Sequence, residues 1–398
     1  MASYYPPALS FGGPPRVMFD LGKELLAKGH SIAAYTTDIM SVEDWRARIE
    51  KQDEVTDGIA VHRFRRVRFS DRLLTKFLKL WAGGVGMEYA RNAGNFDIVH
   101  VADITHPLAL QCTSRASRAK VPYVVSIFGN LSPSKHLPER VLRGTFDLLW
   151  GGRMLKNAAA LLVQTPHEAE LCSQYTSEDR IVPMHLPIDM GQFQHLPARG
   201  RFREKYNLGQ TDKVVLFLGR LHEYKGVQLL VAAVAGLPEK HGLRLVVAGS
   251  DEGYRATLER QIKSLGIENR VLFTGPIFGE DKLEAYLDAD VFVTTPVTYE
   301  ETSLAALEAC ACGTPVIVTE RNAIPGLVEH EAGFQIHYDK EELAGALLKI
   351  LDSSALKEKM GRNARRLIEQ EYALDKVVGR LEGLFLSILQ RGNSQSEG

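Results

Sequence analysis

Valine-rich runs of four to six residues punctuate the second half of the chain at Val214–Leu218, Leu243–Ala248, Val271–Thr274, Val291–Thr294 and Val316–Thr319, with amphipathic stretches between them. A run that is apolar at nearly every position reads as a strand buried on both faces, because a half-exposed strand alternates polar and apolar residues. Both faces are covered when helices cross over between parallel strands, so the pattern predicts repeated βαβ units and a parallel sheet. The first half keeps the same rhythm less cleanly, with strands expected at Ser31–Thr36, Ile59–Phe64, Asp97–Val101, Tyr123–Ile127 and Ala160–Gln164. At 398 residues the chain exceeds one ordinary hydrophobic core, and two α/β domains of similar size follow.

The stretch from Pro183 to Arg203 contains Pro187 and Pro197 and lacks a sustained period, which marks the connection between the domains. The expected division is an N-terminal domain over 1–190, a linker over 191–203 and a C-terminal domain over 204–372. A last amphipathic segment, 373–390, carries Val377, Leu381, Leu384 and Ile388 on one face and is expected to pack back on the first domain. Only Met1 to Tyr5 precede the Pro6-Pro7 turn, so either the opening strand is very short or the chain as given begins late.

The apolar fraction of 45% and charged fraction of 24% are those of a soluble globular protein. A formal net charge of −1 argues against nucleic acid as the main partner, since phosphate-backbone binding calls for a strongly basic face. No window approaches the roughly 18 to 20 apolar residues of a spanning helix, and a charged-then-apolar leader is missing, so a cytoplasmic location is expected. Cys112, Cys172, Cys310 and Cys312 are too scattered for a disulfide framework, and Cys310-x-Cys312 sits in a small-residue run that favours helix packing over metal binding.

The most specific signal runs from Pro296 to Ile317. It sets Glu300 and Glu308, with seven residues between them, across a strand-to-helix junction. Glu300 falls in the loop and Glu308 nearly two turns into the helix, while the helix start at Thr302, Ser303 and Leu304 offers free N–H groups and a positive dipole end. Such a start, at the carboxyl end of a parallel strand, suits a diphosphate. Glu308 is placed to accept hydrogen bonds from ribose hydroxyls and Glu300 from a sugar. The alternative is that Glu300 and Glu301 merely favour the helix start and that Glu308 belongs to a solvated face. Against it stand Ala305, Ala306, Leu307, Ala309 and Ala311, which leave a carboxylate on an otherwise apolar helix.

A second signal is Gly219-Arg220-Leu221-His222-Glu223-Tyr224-Lys225-Gly226, directly after a buried strand. Gly219 permits a sharp turn, after which Arg220 and Lys225 emerge at the carboxyl end of the sheet. Two fixed cations there would stabilise charge growing on a departing diphosphate; two solvated loop cations are the plainer account of the same letters.

On these two motifs the second half closely resembles the donor domain of the GT-B glycosyltransferases of family 4, which carry a G-R-x-x-x-x-K-G loop and an E-x7-E motif. The resemblance implies two doubly wound, Rossmann-like α/β domains facing each other across a cleft, and transfer of a hexosyl unit from a nucleotide-diphosphate sugar to an acceptor hydroxyl with retention at the anomeric carbon. It assigns the diphosphate to Arg220 and Lys225, the ribose to Glu308 and the transferred sugar to Glu300. Tyr5-Pro6-Pro7 followed by Gly12-Gly13-Pro14-Pro15-Arg16 resembles the family's Gly-Gly loop near the donor phosphates. Donor-binding residues on this reading are Gly12, Gly13, Gly219, Arg220, Lys225, Glu300, Thr302, Ser303, Leu304 and Glu308. Gly275 resembles the turn of the family's base pocket.

Two departures stand out. The family commonly has a histidine before the glycine of Val124-Val125-Ser126-Ile127-Phe128-Gly129, where this chain has Phe128, and the E-x7-E interior reads Glu301-Thr302-Ser303 in place of the usual Gly-Phe-Gly. Acceptor-side polar candidates are His100, Asp103 and His106, with Asp103 and His106 carried as candidate catalytic groups beside Glu300, Arg220 and Lys225. The expected donor is a UDP- or GDP-sugar and the acceptor a glycan or lipid-linked glycan, with no metal and no cofactor. The stretch 62–81 interleaves Arg63, Arg65, Arg66, Arg68, Arg72, Lys76 and Lys79 with Phe64, Phe69, Phe77 and Trp81, and reads either as a face lying on an anionic membrane or as an ordinary amphipathic helix. Rival readings are a nucleotide-sugar epimerase or glycogen-like polymerase on the same fold, and a non-catalytic nucleotide-sugar-binding partner. An oxidoreductase is disfavoured, because no G-x-G-x-x-G follows an early strand.

Overall fold

The computed structural model describes residues 1–8, 13–41, 47–65, 95–102, 104, 107–131, 150–239 and 242–396. The chain divides into two compact units, Met1–Pro187 with Leu374–Gly398, and Ile188–Ala373.

In the first unit the described elements are α1 (Gly13–Ala27), β1 (Ala33–Thr37), β2 (Asp53–Thr56), β3 (Ile59–Phe64), β4 (Val99–Ala102), α2 (Pro107–Arg118), β5 (Tyr123–Ser126), α3 (Gly152–Lys156), β6 (Ala160–Val163), α4 (Pro166–Ser173) and β7 (Ile181–Pro183). The second unit holds α5 (Arg201–Lys205), β8 (Lys213–Leu218), α6 (Val227–Ala235), β9 (Leu243–Ala248), α7 (Arg255–Ser264), β10 (Val271–Gly275), α8 (Gly279–Asp288), β11 (Val291–Thr294), α9 (Leu304–Ala311), β12 (Val316–Thr319), β13 (Gly333–Ile336), α10 (Lys340–Leu351) and α11 (Ser354–Leu367). Helix α12 (Leu374–Ser396) then rejoins the first unit.

The second unit is a six-stranded sheet in the order β10-β9-β8-β11-β12-β13, parallel at every pairing. That order reverses between β8 and β11, the point at which doubly wound sheets open a crevice beyond their carboxyl ends. Its core joins Val215, Phe217, Leu245, Val247, Val291, Val293 and Ile317 from the strands to Val231, Leu258 and Leu347 from the helices, all buried. The valine runs are buried because the helices that cross over between parallel strands pack on the sheet.

The first unit has sheets of order β1-β3-β2 and β4-β5-β6-β7. Residues 1–3 lie between them: Ala2 N donates to Tyr35 O at 3.1 Å, Ala102 N donates to Met1 O at 2.9 Å and Thr37 Oγ1 donates to Ser3 O at 2.6 Å. A three-residue segment thus does what an opening strand does, bonding to a neighbour on each side. Helix α12 packs on α1, and Glu382 accepts from His30 at 2.8 Å and pairs with Lys28 at 3.2 Å.

Three strands escaped the pattern reading, namely β2, β7 and β13, and each is an edge strand. An edge strand is part exposed and loses the continuous apolar signature. Thus β2 reads Asp-Glu-Val-Thr with alternating exposure, and β7 ends in Pro183, which only an edge tolerates. The hairpin joining β2 to β3 turns through Asp57 and Gly58, both left-handed, an Asp-Gly signal that was available in the letters. Most of the basic 62–81 stretch, together with Gly12, Asp103 and His106, lies outside the described residues. No described helix is long and apolar enough to cross a membrane.

Candidate functional site

The carboxyl ends of β8 and β9 meet through two glycines. Gly219 N donates to Ala248 O at 2.9 Å, and a side chain on Gly249 would place its Cβ 1.8 Å from the Gly219 carbonyl oxygen. Past this contact Leu221 N donates to Ser250 O at 2.8 Å, so the chain is held at the sheet end with Arg220 projecting from it. A short 3-10 turn, Glu223–Lys225, is capped by His222, whose Nδ1 accepts from Tyr224 N at 3.3 Å. It stops at Gly226, whose φ of +72° begins α6.

The loop after β11 is bonded to that turn. Thr295 Oγ1 donates to Gly226 O at 3.0 Å and Val297 N donates to Tyr224 O at 2.7 Å. On its other side Arg321 Nη1 donates to Val297 O at 2.7 Å, Glu300 N donates to Arg321 O at 2.9 Å and Asn322 Nδ2 donates to Glu301 O at 2.9 Å. Glu301 takes a left-handed φ of +58°, which ends the loop and turns the chain into α9. Thr302 Oγ1 donates to Ala323 O at 2.9 Å, and Ser303 caps the helix by accepting from Ala306 N.

These contacts tie the loop that carries Arg220 and Lys225 to the loop that carries Glu300 and leads into α9. Lys225 Nζ lies 2.7 Å from Glu300 Oε1, with both side chains largely buried. Arg220 Nη1 pairs with Glu252 Oε1 at 2.8 Å, and its Nη2 donates to the Tyr224 hydroxyl. Both cations lie over the Tyr224 ring, Arg220 at 5.8 Å and Lys225 at 5.2 Å from its centroid. Burial pushes the Tyr224 hydroxyl up to about 12 against the pull of Arg220, so it stays a neutral phenol at physiological pH.

Glu308 sits one turn beyond the start of α9, about 6 Å along the axis. It is 8% exposed, with Lys282 Nζ 2.7 Å from Oε1 and the Tyr286 hydroxyl donating to Oε2 at 3.1 Å. It therefore does not belong to a solvated face. Lys282, Tyr286, Tyr224 and Glu252 were not singled out from the sequence. The i, i+4 spacing of Lys282 and Tyr286 on one face of α8 was a signal for the first two.

The first unit holds its own cluster. His100 Nε2 and Ser126 Oγ are 2.7 Å apart across neighbouring strands, and burial, then the Met1 ammonium, lowers the imidazole to about 3. They line a small cavity with Phe128, Gln164, His185 and Leu381. Phe128 stands where the family histidine was expected, and it and Gly129 adopt successive left-handed values of +50° and +74°. The wholly buried Glu168 holds this turn: its carboxylate accepts from Gly129 N and, at 2.7 Å, from Gln164 N. Sequence reading passed over Glu168, whose place four residues after Gln164 gives no sign of that reach. Gly13 is the first residue of α1.

Comparison with known proteins bears on this arrangement. A family model described as glycosyl transferases group 1 matches residues 198–367, and one described as glycosyl transferase 4-like domain matches residues 12–187. A D-inositol 3-phosphate glycosyltransferase of Corynebacterium efficiens is 33% identical over 304 residues, covering 73% of this chain and 71% of its own. The chain belongs to the family 4 glycosyltransferases. An uncharacterised family relative from Methanocaldococcus jannaschii is 26% identical over 396 residues, with 94% of this chain and 93% of its own covered. Among solved structures, HepE of Anabaena in complex with UDP superposes with a TM-score of 0.73 at 18% identity, covering 97% of this chain and 98% of its own. WaaG, a glycosyltransferase involved in lipopolysaccharide biosynthesis, gives 0.66 at 19% identity over 94% and 96%. The shared fold is the two-domain GT-B glycosyltransferase architecture.

Proposed function

We propose that this glycosyltransferase moves a hexosyl unit from a nucleotide-diphosphate sugar to an acceptor hydroxyl with retention of anomeric configuration, without a metal, in the cytoplasm. The observation that carries the reading is the bonding of the Gly219–Gly226 loop to the Thr295–Ser303 loop, which sets Lys225 2.7 Å from Glu300 beside the capped start of α9. In this reading Arg220, Lys225 and the N–H groups of α9 hold the diphosphate, and their fixed positive charge stabilises the negative charge that grows on it as the glycosidic bond breaks. Glu300 holds the transferred sugar and, through its contact, orients Lys225. Glu308 holds the ribose. By the family resemblance, Gly12 and Gly13 are carried as further donor-binding residues and Asp103 and His106 as acceptor-side ones.

The donor is proposed to be a UDP- or GDP-sugar, a reading supported by the UDP in the HepE complex. The acceptor is proposed to be a glycan or lipid-linked glycan. That choice is supported by a relative named alpha-monoglucosyldiacylglycerol synthase from Streptococcus pneumoniae, 26% identical with 83% of this chain covered. The test incubates chelator-treated protein with UDP- and GDP-hexoses and a panel of glycan and lipid acceptors, and reads the product anomer by NMR. Transfer with the donor's own configuration is expected. An inverted anomer would refute retention, isomerised donor without transfer would point to an epimerase, and donor binding with no transfer to any acceptor would point to a binding protein.

A further inference from the structure

We infer that Lys282 is a ribose-reading residue: with Glu308 it forms a donor-and-acceptor pair matched to the vicinal hydroxyls of the nucleotide's ribose. The inference rests on the proposal that Glu308 faces that ribose.

The pair is unusual for its surroundings. Helix α9 is alanine-rich and its residues 306–311 are buried, yet it carries the carboxylate of Glu308 at 8% residue exposure. Burying a carboxylate against such a wall is unfavourable unless its charge is balanced and its oxygens are bonded. Two residues one turn apart on α8 do this. Lys282 Nζ lies 2.7 Å from Oε1, and Tyr286, itself wholly buried, donates to Oε2 at 3.1 Å. Tyr286 reaches from the interior, whereas the Lys282 side chain keeps 20% of its surface exposed against 10% for that of Glu308. The Lys282 side chain is therefore the most exposed of the three.

Chemistry makes that position informative. A hydroxyl both donates and accepts, a carboxylate only accepts and an ammonium only donates, with three N–H groups. Glutamate alone would satisfy the ribose O–H protons and leave the ribose oxygens without a donor. An ammonium 2.7 Å from the carboxylate supplies that donor, and one of its three N–H groups is enough to hold Glu308 in place. Lys282 thereby fixes the rotamer of Glu308 and bonds the same diol. A site built to pair hydroxyls rejects an analogue lacking one far more strongly than an apolar pocket rejects a missing methylene, because its buried polar groups are left unpaired. A preference for ribonucleotides over deoxyribonucleotides follows, and Lys282 is a source of it.

The test is isothermal titration of the full chain with UDP and GDP, then with the 2′-deoxy and 3′-deoxy forms of whichever binds. The wild type is expected to bind the deoxy forms about a hundredfold more weakly, the scale of one lost hydrogen bond to a charged group. Lys282→Met is expected to bind the ribonucleotide about tenfold more weakly and the deoxy forms about as weakly as the wild type does, which lowers the ribose-to-deoxyribose ratio from about a hundredfold to about tenfold. Steady-state kinetics of the same variant should show a raised KM for the donor and a nearly unchanged kcat. Lys282→Gln, which keeps a hydrogen-bond donor without the charge, gives the same readout should the Met variant not fold, and Lys282→Arg should recover part of the discrimination. Unchanged affinity in the Lys282 variants, or an equal loss on ribose and deoxyribose nucleotides, overturns the inference and leaves a purely structural ion pair. Failure of the underlying reading looks different: neither UDP nor GDP binds the wild type, or Glu308→Ala binds as tightly as the wild type.

Discussion

Replacing Gly226 by alanine should uncouple the two loops of the candidate site. At a φ of +72°, an added Cβ would lie 1.5 Å from the carbonyl oxygen of Thr295, 2.6 Å from its carbon and 3.3 Å from Pro296 Cα. All three atoms are backbone, so no side-chain rotation relieves the overlap, and the loops must separate by about 2 Å to restore van der Waals contact. The left-handed backbone costs alanine about 1–2 kcal/mol and forced repacking of a tight contact about 1–3 kcal/mol more, giving a loss of about 2–5 kcal/mol. For a unit of this size that lowers the unfolding midpoint by roughly 5–15 °C. Gly266→Ala is the matched control: its φ is +66° and nothing lies within 4 Å of the added Cβ, so only the backbone cost of about 1–2 kcal/mol applies. Calorimetry of both variants, with titration of UDP and GDP, separates the two contributions. Gly226→Ala should melt well below Gly266→Ala and lose nucleotide affinity, since the 2.7 Å contact of Lys225 with Glu300 depends on the bonded loops. Equal midpoints with wild-type nucleotide affinity in Gly226→Ala would refute the argument that this close approach assembles the site.

Three further outcomes are expected. Glu308→Ala should abolish the thermal shift given by the nucleotide that binds, which for the wild type at a hundred times its dissociation constant is worth about 2.7 kcal/mol; an undiminished shift would remove Glu308 from the site. Glu168→Ala strips the acceptor from the buried N–H groups of Gly129 and Gln164 and should cost about 3 kcal/mol or more by denaturant unfolding, with Glu168→Gln losing less. His100, held to about 3 in the folded state against 6.5 for the free side chain, makes the unfolded chain the better proton binder between those values, so stability is lost as pH falls through 6.5 toward 3. This contribution amounts to about 2 kcal/mol between pH 7.5 and 5, and unfolding of His100→Gln at the two pH values should show a correspondingly flatter acid limb.

The letters alone determined the elements whose physics is local. A strand covered on both faces is apolar at nearly every position whatever its neighbours, so Leu243–Ala248, Val291–Thr294 and Val316–Thr319 have the same limits in the sequence reading and in the structure. The two motifs were legible for a similar reason, since a glycine turn after a buried strand and a carboxylate on an alanine-rich helix are conspicuous in one dimension. The edge strands β2, β7 and β13 were not, because partial exposure erases the pattern. Which partner each site residue meets was beyond one-dimensional reading, even where spacing marked Lys282 and Tyr286 as sharing a helix face. Lys225 is 75 residues from Glu300, Lys282 is 26 from Glu308 and Arg220 is 32 from Glu252, and each pair forms because parallel strands deliver their carboxyl ends to one edge of the sheet. A side chain's charge and length are written in the sequence, but which opposite charge it meets is set by strand order and by backbone contacts such as that of Gly226 with Thr295, and these exist only once the sheet has closed up.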